Sequence, residues 1–304
     1  MNTSLGRVTV GARQRLTDHY GPAAHEWLNS VPTAIADAAT QWSLTVTGYH
    51  DVGCASVIAL ADDENHVSHV IKAWYEPTRY RHEIAALRLW GPPVAPAVTH
   101  IADHLTIAAL LLVADRPGGA TAPAKEYDVV AHGLRRLHSR ARASEGFPSL
   151  ESYIDGDVLP RIHRRASVLG SEIPQSCLIR GMEAMNRLPS QLDERVLLHA
   201  DLYRENVVFG EDGRPVFIDP LPMTGDRMFD WAFWTVYYDL DRDPLPRLLT
   251  AARVGGIRPT GLLPWCLMLC LDGLLYYVET GDPRVRRMIE VMAVLHGNQE
   301  MARV

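Results

Sequence analysis

Lysine is nearly absent from this sequence: Lys72 and Lys125 are the only two among 304 residues. No run of Lys or Arg forms a stripe that could track a phosphate backbone, which argues against a nucleic-acid partner. Strong charge of either sign is missing too, because 30 basic residues stand against 36 acidic ones for a net −6. A balance of that size speaks to solubility more than to function. Cysteine is scarce, with Cys54, Cys177, Cys266 and Cys270 making four. Only Cys266 and Cys270 lie close, one helical turn apart in an apolar run, where a helix would bury both thiols on one face. A zinc site would want a second close pair. Residues 1–16 hold no apolar core of signal-peptide length. The most apolar run, residues 262–278, is interrupted by Asp272 and Gly273, short of the roughly 20 apolar residues that a membrane span needs. These absences predict a cytoplasmic, reduced protein with no membrane partner. Repeats and low-complexity segments are also missing. What is present is ordinary for a globular chain, 47% hydrophobic and 22% charged, and long enough for two core-bearing lobes.

The pattern changes along the chain. Residues 12–41 carry helical spacing through Trp27, Leu28, Val31 and Ile35, with Pro22 and Pro32 expected to break it into pieces. Residues 42–49, 52–60 and 67–74 alternate as half-buried strands, with a polar turn at 61–65. A helix is expected over 79–90 and stops at Gly91-Pro92-Pro93; strands are expected over 101–107 and 108–113. After Pro117-Gly118-Gly119 the pattern is mostly helical, apart from a strand-rich stretch over 196–218. A strand-rich first third before a helix-rich remainder predicts an α+β protein. Its division is expected near the end of the last N-terminal strand, giving residues 1–113 and 114–304.

The informative stretch is residues 196–220, VLLHADLYRENVVFGEDGRPVFIDP. An apolar strand delivers His199 and Asp201, Asn206 follows five residues after Asp201, and a hairpin leads to Asp219. Such a hairpin is expected to gather Asp201, Asn206 and Asp219. Two carboxylates and an amide are hard oxygen ligands that suit Mg²⁺, which takes few protein ligands and completes its shell with substrate phosphates. Phosphoryl transfer needs a metal on the phosphates and a carboxylate at the attacking hydroxyl. Turn chemistry alone explains Asp212-Gly213, but not acids immediately after apolar strands. A kinase also needs a strand lysine for the donor phosphates and a helical glutamate to hold it. Lys72, at a strand position, and Glu83, eleven residues on, are the candidates. A Gly-x-Gly-x-x-Gly loop is missing; backbone N–H groups from Gly53 to Ser56 are the candidate phosphate cover.

Taken together, these residues resemble the aminoglycoside phosphotransferase family, across nearly the whole chain. His199-x-Asp201, Asn206 and Ile218-Asp219-Pro220 match its catalytic signature, Gly225-Asp226…Asp230 its next motif, and residues 134–138, LRRLH, its helix entering the second lobe. The Ile-Asp-Pro ending, with residues 27–44 and 87–91, is similar to the streptomycin 6-phosphotransferase and hydroxyurea phosphotransferase branch. The resemblance implies a two-lobed, protein-kinase-like fold, with residues 1–113 as a nucleotide-binding lobe carrying a helical extension, and 114–304 as the catalytic and acceptor-binding lobe. It implies that Asp201 is the catalytic base, that Asn206 and Asp219 bind Mg²⁺, and that Lys72, positioned by Glu83, holds the phosphates of ATP or GTP. Backbone near Val113 and Asp115 would meet the purine. His199 would brace the loop, Asp230 would anchor its backbone, and His138 would be a packing residue. A small-molecule hydroxyl acceptor is implied, first an antibiotic such as an aminoglycoside, with resistance as the role. A polycation needs carboxylates, and Asp226, Asp239, Asp241, Asp243, Asp272 and Glu279 are the candidates. Kinases of other hydroxyl-bearing metabolites and an inactive nucleotide-binding regulator stay open. A protein kinase fits poorly, since no Ala-Pro-Glu element follows Asp219.

Overall fold

The structure, a computed structural model, describes residues 5–53, 55–141, 146–188 and 195–301. Its internal contacts divide the chain into two units, one running to Ala122 and including 208–218, the other formed by 123–207 and the chain from Asp219 onward.

The first unit opens with α1 (Val10–Tyr20) and α2 (Ala24–Gln41), followed by β1 (Thr45–Tyr49), β2 (Ser56–Asp62) and β3 (Ser68–Trp74). Then come α3 (Pro77–Trp90), β4 (Val98–Ala102) and β5 (Ile107–Leu111). The five strands form one antiparallel sheet in the order β1-β2-β3-β5-β4. Alternation along β2 and β3 buries Val57, Ala59, Ala61, Ile71 and Ala73, and α2 covers them with Leu28, Val31, Ile35 and Ala38. Each large aliphatic side chain removed from water there contributes about 1.5–3 kcal/mol.

Several boundaries differ from the sequence pattern, each for a local reason. Pro32 does not break the second helix: α2 runs unbroken through it. A proline at that place lacks the N–H that would bond the Leu28 carbonyl one turn back. Arg13 of α1 supplies the missing donor, its Nη1 reaching Leu28 O at 2.9 Å. The α2 helix extends to Gln41, so the first strand begins at Thr45 rather than Trp42. The second strand begins only at Ser56, because the chain first turns at Asp51 and Val52. The expected pair at 101–107 and 108–113 is divided differently, since Asp103–Leu105 form a single 3₁₀ turn and Thr106 has φ of 53°.

The second unit begins with α4 (Glu126–Arg140). A continuous helical run follows, made of α5 (Leu150–Tyr153), a π turn over Ile154–Val158 and α6 (Leu159–Leu169). Next are α7 (Gln175–Met185) and β6 (Arg195–Leu198). The hairpin of β7 (Val207–Phe209) and β8 (Pro215–Phe217) then joins the first unit. Phe217 N–H donates to Val94 O at 2.9 Å, and Ala120 N–H to Phe209 O at 2.7 Å. The chain returns as β9 (Met223–Asp226), antiparallel to β6, and ends in α8 (Met228–Tyr237), α9 (Leu245–Gly255), α10 (Pro259–Thr280) and α11 (Val285–Met301). By length and composition α10 could cross a membrane, yet 83% of its most apolar stretch is buried within the chain. It packs against α6, α7, α8 and α11. Cys266 and Cys270 lie on it and Cys177 on α7, all buried free thiols pushed above the ordinary range by burial. Cys54 lies outside the described residues.

The Arg13 contact makes a measurable prediction. Arg13→Ala lowers unfolding stability by about 1 kcal/mol in urea melts, the cost of a carbonyl left without its partner. In a Pro32→Ala background, where the backbone N–H returns, the same change costs measurably less.

Candidate active site

In the first unit Lys72 sits on β3, which is flanked by β2 and β5, so it lies on an interior strand opposite Ile58 and Ala108. Its ammonium is 4% exposed and donates to Glu83 Oε1 at 2.5 Å. Glu83, on α3, is fully buried and its second oxygen accepts from Trp74 Nε1 at 2.7 Å. Trp74 also lies under the ammonium, 4.9 Å from its ring centroid. The carboxylate is thereby satisfied at both oxygens, which a charge buried this deeply requires.

The segment around Asp51 and Gly53 is fastened by α1 and its N-cap. Arg15 Nη2 donates to Asp51 Oδ1 at 2.6 Å and its Nε to Gly53 O at 3.2 Å. Thr9 Oγ1 also donates to Asp51, and Tyr20 OH to Ala55 O at 2.9 Å. Gly53 tolerates no side chain, since a Cβ there would fall 2.2 Å from Ser56 O. Ser56 is buried at the first position of β2. Val113 and Asp115 lie beyond the end of β5, on either side of Ala114, whose φ is 62°.

In the second unit, β6 leads into a short loop before β7. Ala200 adopts φ of 58°, a conformation costing an alanine roughly 1–3 kcal/mol. Asp230, fully buried on α8, offsets that strain: it accepts from Ala200 N–H at 2.8 Å and His199 N–H at 2.9 Å. Its Oδ2 also meets His138 Nε2 at 2.8 Å. His138 is thus a hydrogen-bonding partner of the anchor rather than a packing residue. On the loop's other flank Glu126 accepts from Arg204 Nε and Nη2 at 2.9 and 2.8 Å and from Tyr238 OH at 2.7 Å. Neither His138 nor Glu126 has a signal in the catalytic motif, because each acts on residues far along the chain.

Held in this way, the loop presents Asp201. Asn206 Nδ2 donates to its carbonyl at 2.8 Å and to its Oδ2 at 2.9 Å. That bond turns the amide nitrogen toward Asp201 and its oxygen away. Asn206 immediately precedes β7, and Asp219 follows β8 with φ of 57°, a left-handed conformation that aspartate tolerates better than most residues. Among the described residues no group of three or more His, Cys, Asp or Glu could hold a metal by itself. The oxygen donors of Asp201, Asn206 and Asp219 still fit Mg²⁺, which needs only a few protein ligands beside phosphate oxygens.

The carboxylates expected at the acceptor are not brought together. Asp226 caps α8, its Oδ1 accepting from Met228 N–H at 2.9 Å. Asp239 accepts from Tyr127 OH at 2.8 Å and lines a cavity of about 390 Å³ with Arg204. Asp243 caps α9 through Leu245 N–H. Asp272, on α10, lines a different cavity of about 500 Å³ that also holds Tyr203 of the loop between β6 and β7. Glu279 is paired with Arg164 and Arg165.

Comparison with known proteins places this geometry. A family model described as fructosamine kinase matches residues 174–244. Streptomycin 6-kinase of Streptomyces glaucescens is 26% identical over 86% of this chain and 88% of its own length. A macrolide 2′-phosphotransferase from Brachybacterium faecium superposes with a TM-score of 0.57 at 18% identity, covering 86% of this chain and 97% of that one. An aminoglycoside 2′-phosphotransferase solved with GDP gives a TM-score of 0.61 at 15% identity, covering 90% and 98%. The last two are similar in fold.

The anchor can be tested by stability alone. Asp230→Ala lowers unfolding free energy by about 3 kcal/mol or more, the loss expected when a buried carboxylate is removed from its partners. Adding Ala200→Gly recovers about 1 kcal/mol, because glycine adopts the left-handed conformation without a Cβ penalty. Urea denaturation of the single and double variants reads both.

Proposed function

We infer that this chain, a phosphotransferase of the aminoglycoside phosphotransferase family acting on hydroxyl groups, moves the γ-phosphoryl group of ATP or GTP to a small-molecule acceptor. The observation that carries this reading is the strained loop that presents Asp201, with Asn206 bonded to its carboxylate and Asp230 fixing its backbone. The anchored Lys72–Glu83 pair adds the donor-phosphate contact that such an enzyme needs.

The residues divide the work as follows. Lys72 neutralises the α- and β-phosphates, and Glu83 keeps its ammonium in place. Backbone beyond β5, near Val113 and Asp115, receives the purine. Backbone N–H groups of Gly53, Ala55 and Ser56 cover the phosphates. Asn206 and Asp219 would hold Mg²⁺, which when bound would supply charge neutralisation on the phosphate oxygens. Asp201 accepts the hydroxyl proton as the acceptor oxygen forms its bond to the γ-phosphorus. The bond from that phosphorus to the bridging oxygen breaks, and the nucleoside diphosphate leaves with the electron pair.

The streptomycin kinase relative makes an antibiotic hydroxyl the first acceptor to consider, with resistance as the role. A second reading, a hydroxyl-bearing metabolite, is favoured by the match of residues 174–244 to the fructosamine kinase model.

Asp201→Asn removes the proton acceptor while keeping the shape. We expect acceptor-dependent release of nucleoside diphosphate to fall by about 10²–10⁴-fold, with nucleotide affinity changed only a few-fold. Unaltered turnover would reject the mechanism.

A further inference from the structure

The 500 Å³ cavity of the second unit reaches the catalytic loop through Tyr203, whose N–H donates to Asp201 O at 3.0 Å. Its chemistry departs from what a polycationic acceptor requires. The lining carries Arg161, Arg165 and Arg284 against a single carboxylate, Asp272. That carboxylate is already spent. Arg161 grips it through Nε at 2.9 and 3.1 Å and Nη2 at 2.5 Å, and Arg165 Nη1 reaches its other side at 3.4 Å. Two guanidiniums on one carboxylate leave it little capacity to receive an entering cation.

The aromatic faces are occupied as well. Arg165 lies over Tyr276 at 5.2 Å and Arg284 over Tyr277 at 4.5 Å. An ammonium or guanidinium entering here would meet the chain's own cations at both of these rings and at Asp272. An anion meets the opposite situation. Arg165 uses Nε on Glu279 and Nη1 on Asp272, and Arg284 uses Nε and Nη2 on Asp282. The remaining terminal nitrogens, Nη2 of Arg165 and Nη1 of Arg284, have no partner among the described residues. Each arginine thus keeps a terminal N–H group that can donate to a carboxylate or phosphate oxygen. Tyr203 and Tyr237, whose centroids are 5.5 Å apart, add ring surface for the carbon face of a sugar or similar ring.

We propose that this cavity is the acceptor subsite and that it selects a hydroxyl compound bearing an anionic group, a carboxylate or a phosphate, bound by Arg165 and Arg284. The inference rests on the phosphotransferase reading, and within it favours a metabolite over an aminoglycoside.

The test is direct binding of a matched set to the Asp201→Asn protein, in which acceptor is not consumed: glucose, glucosamine, glucuronate and glucose 6-phosphate, with streptomycin added. At least one of glucuronate and glucose 6-phosphate should bind ten-fold or more tighter than glucose and glucosamine, and which of the two does so separates carboxylate from phosphate. Arg284→Gln, on a half-exposed side chain, should abolish that preference; Arg165→Gln should do so too if it folds. Streptomycin or glucosamine binding as tightly as the anions would overturn the proposal, as would equal or undetectable binding of the whole set, or a preference that survives Arg284→Gln. Failure of the phosphotransferase reading shows elsewhere: wild-type and Asp201→Asn protein would then release nucleoside diphosphate at the same rate with every acceptor.

Discussion

A single buried carboxylate organises the second unit. Asp230 accepts two consecutive backbone N–H groups and touches an imidazole, and in doing so it holds Ala200 in a conformation that alanine avoids. The left-handed turn at Ala200 aims Asp201, and Asn206 completes the arrangement by bonding back to it. Strain of this kind persists only where the surroundings over-determine it. Here they do so from both sides, α8 through Asp230 and α4 through Glu126 and Arg204. The burial of α8, with Phe229, Trp231 and Trp234 enclosed alongside Asp230, supplies the rigidity against which the loop is braced.

The first unit solves a comparable problem with different means. Its buried lysine is matched by a carboxylate that is itself held by an indole N–H, so the charge pair has little freedom to rearrange. An exposed ion pair is worth little. A pair this deeply buried commits the sheet and α3 to one arrangement, because separating the two charges would strand each in the protein interior.

The spacing of the loop was legible because it is local: His199, Asp201 and Asn206 fall within one loop, and Asp219 follows one hairpin later. The alternation of β2 and β3, and with it the placement of Lys72, was legible for the same reason. Contacts distant in sequence were not. Glu126 and Arg204 are 78 residues apart, and His138 and Asp230 are 92 apart. The helix break expected at Pro32 failed because a donor from another helix replaced the lost N–H. The carboxylates expected at the acceptor read differently in the fold for a related reason. An aspartate in a sequence carries a charge, but Asp272 in the fold is covered by arginines more than a hundred positions earlier. Its chemistry belongs to the cluster and not to the residue.

The turn at Asp51 holds one glycine, Gly53, and not the Gly-x-Gly-x-x-Gly pattern that usually lets such a segment settle over phosphates. Here α1 and its N-cap tie the segment down with Thr9, Arg15 and Tyr20. A turn whose ordering is completed during folding loses little entropy when a ligand arrives. The helix at the start of the chain therefore acts as a splint: what glycine achieves by pliancy, this chain achieves by immobilisation, and the lever for loosening the turn lies about forty residues before the turn itself.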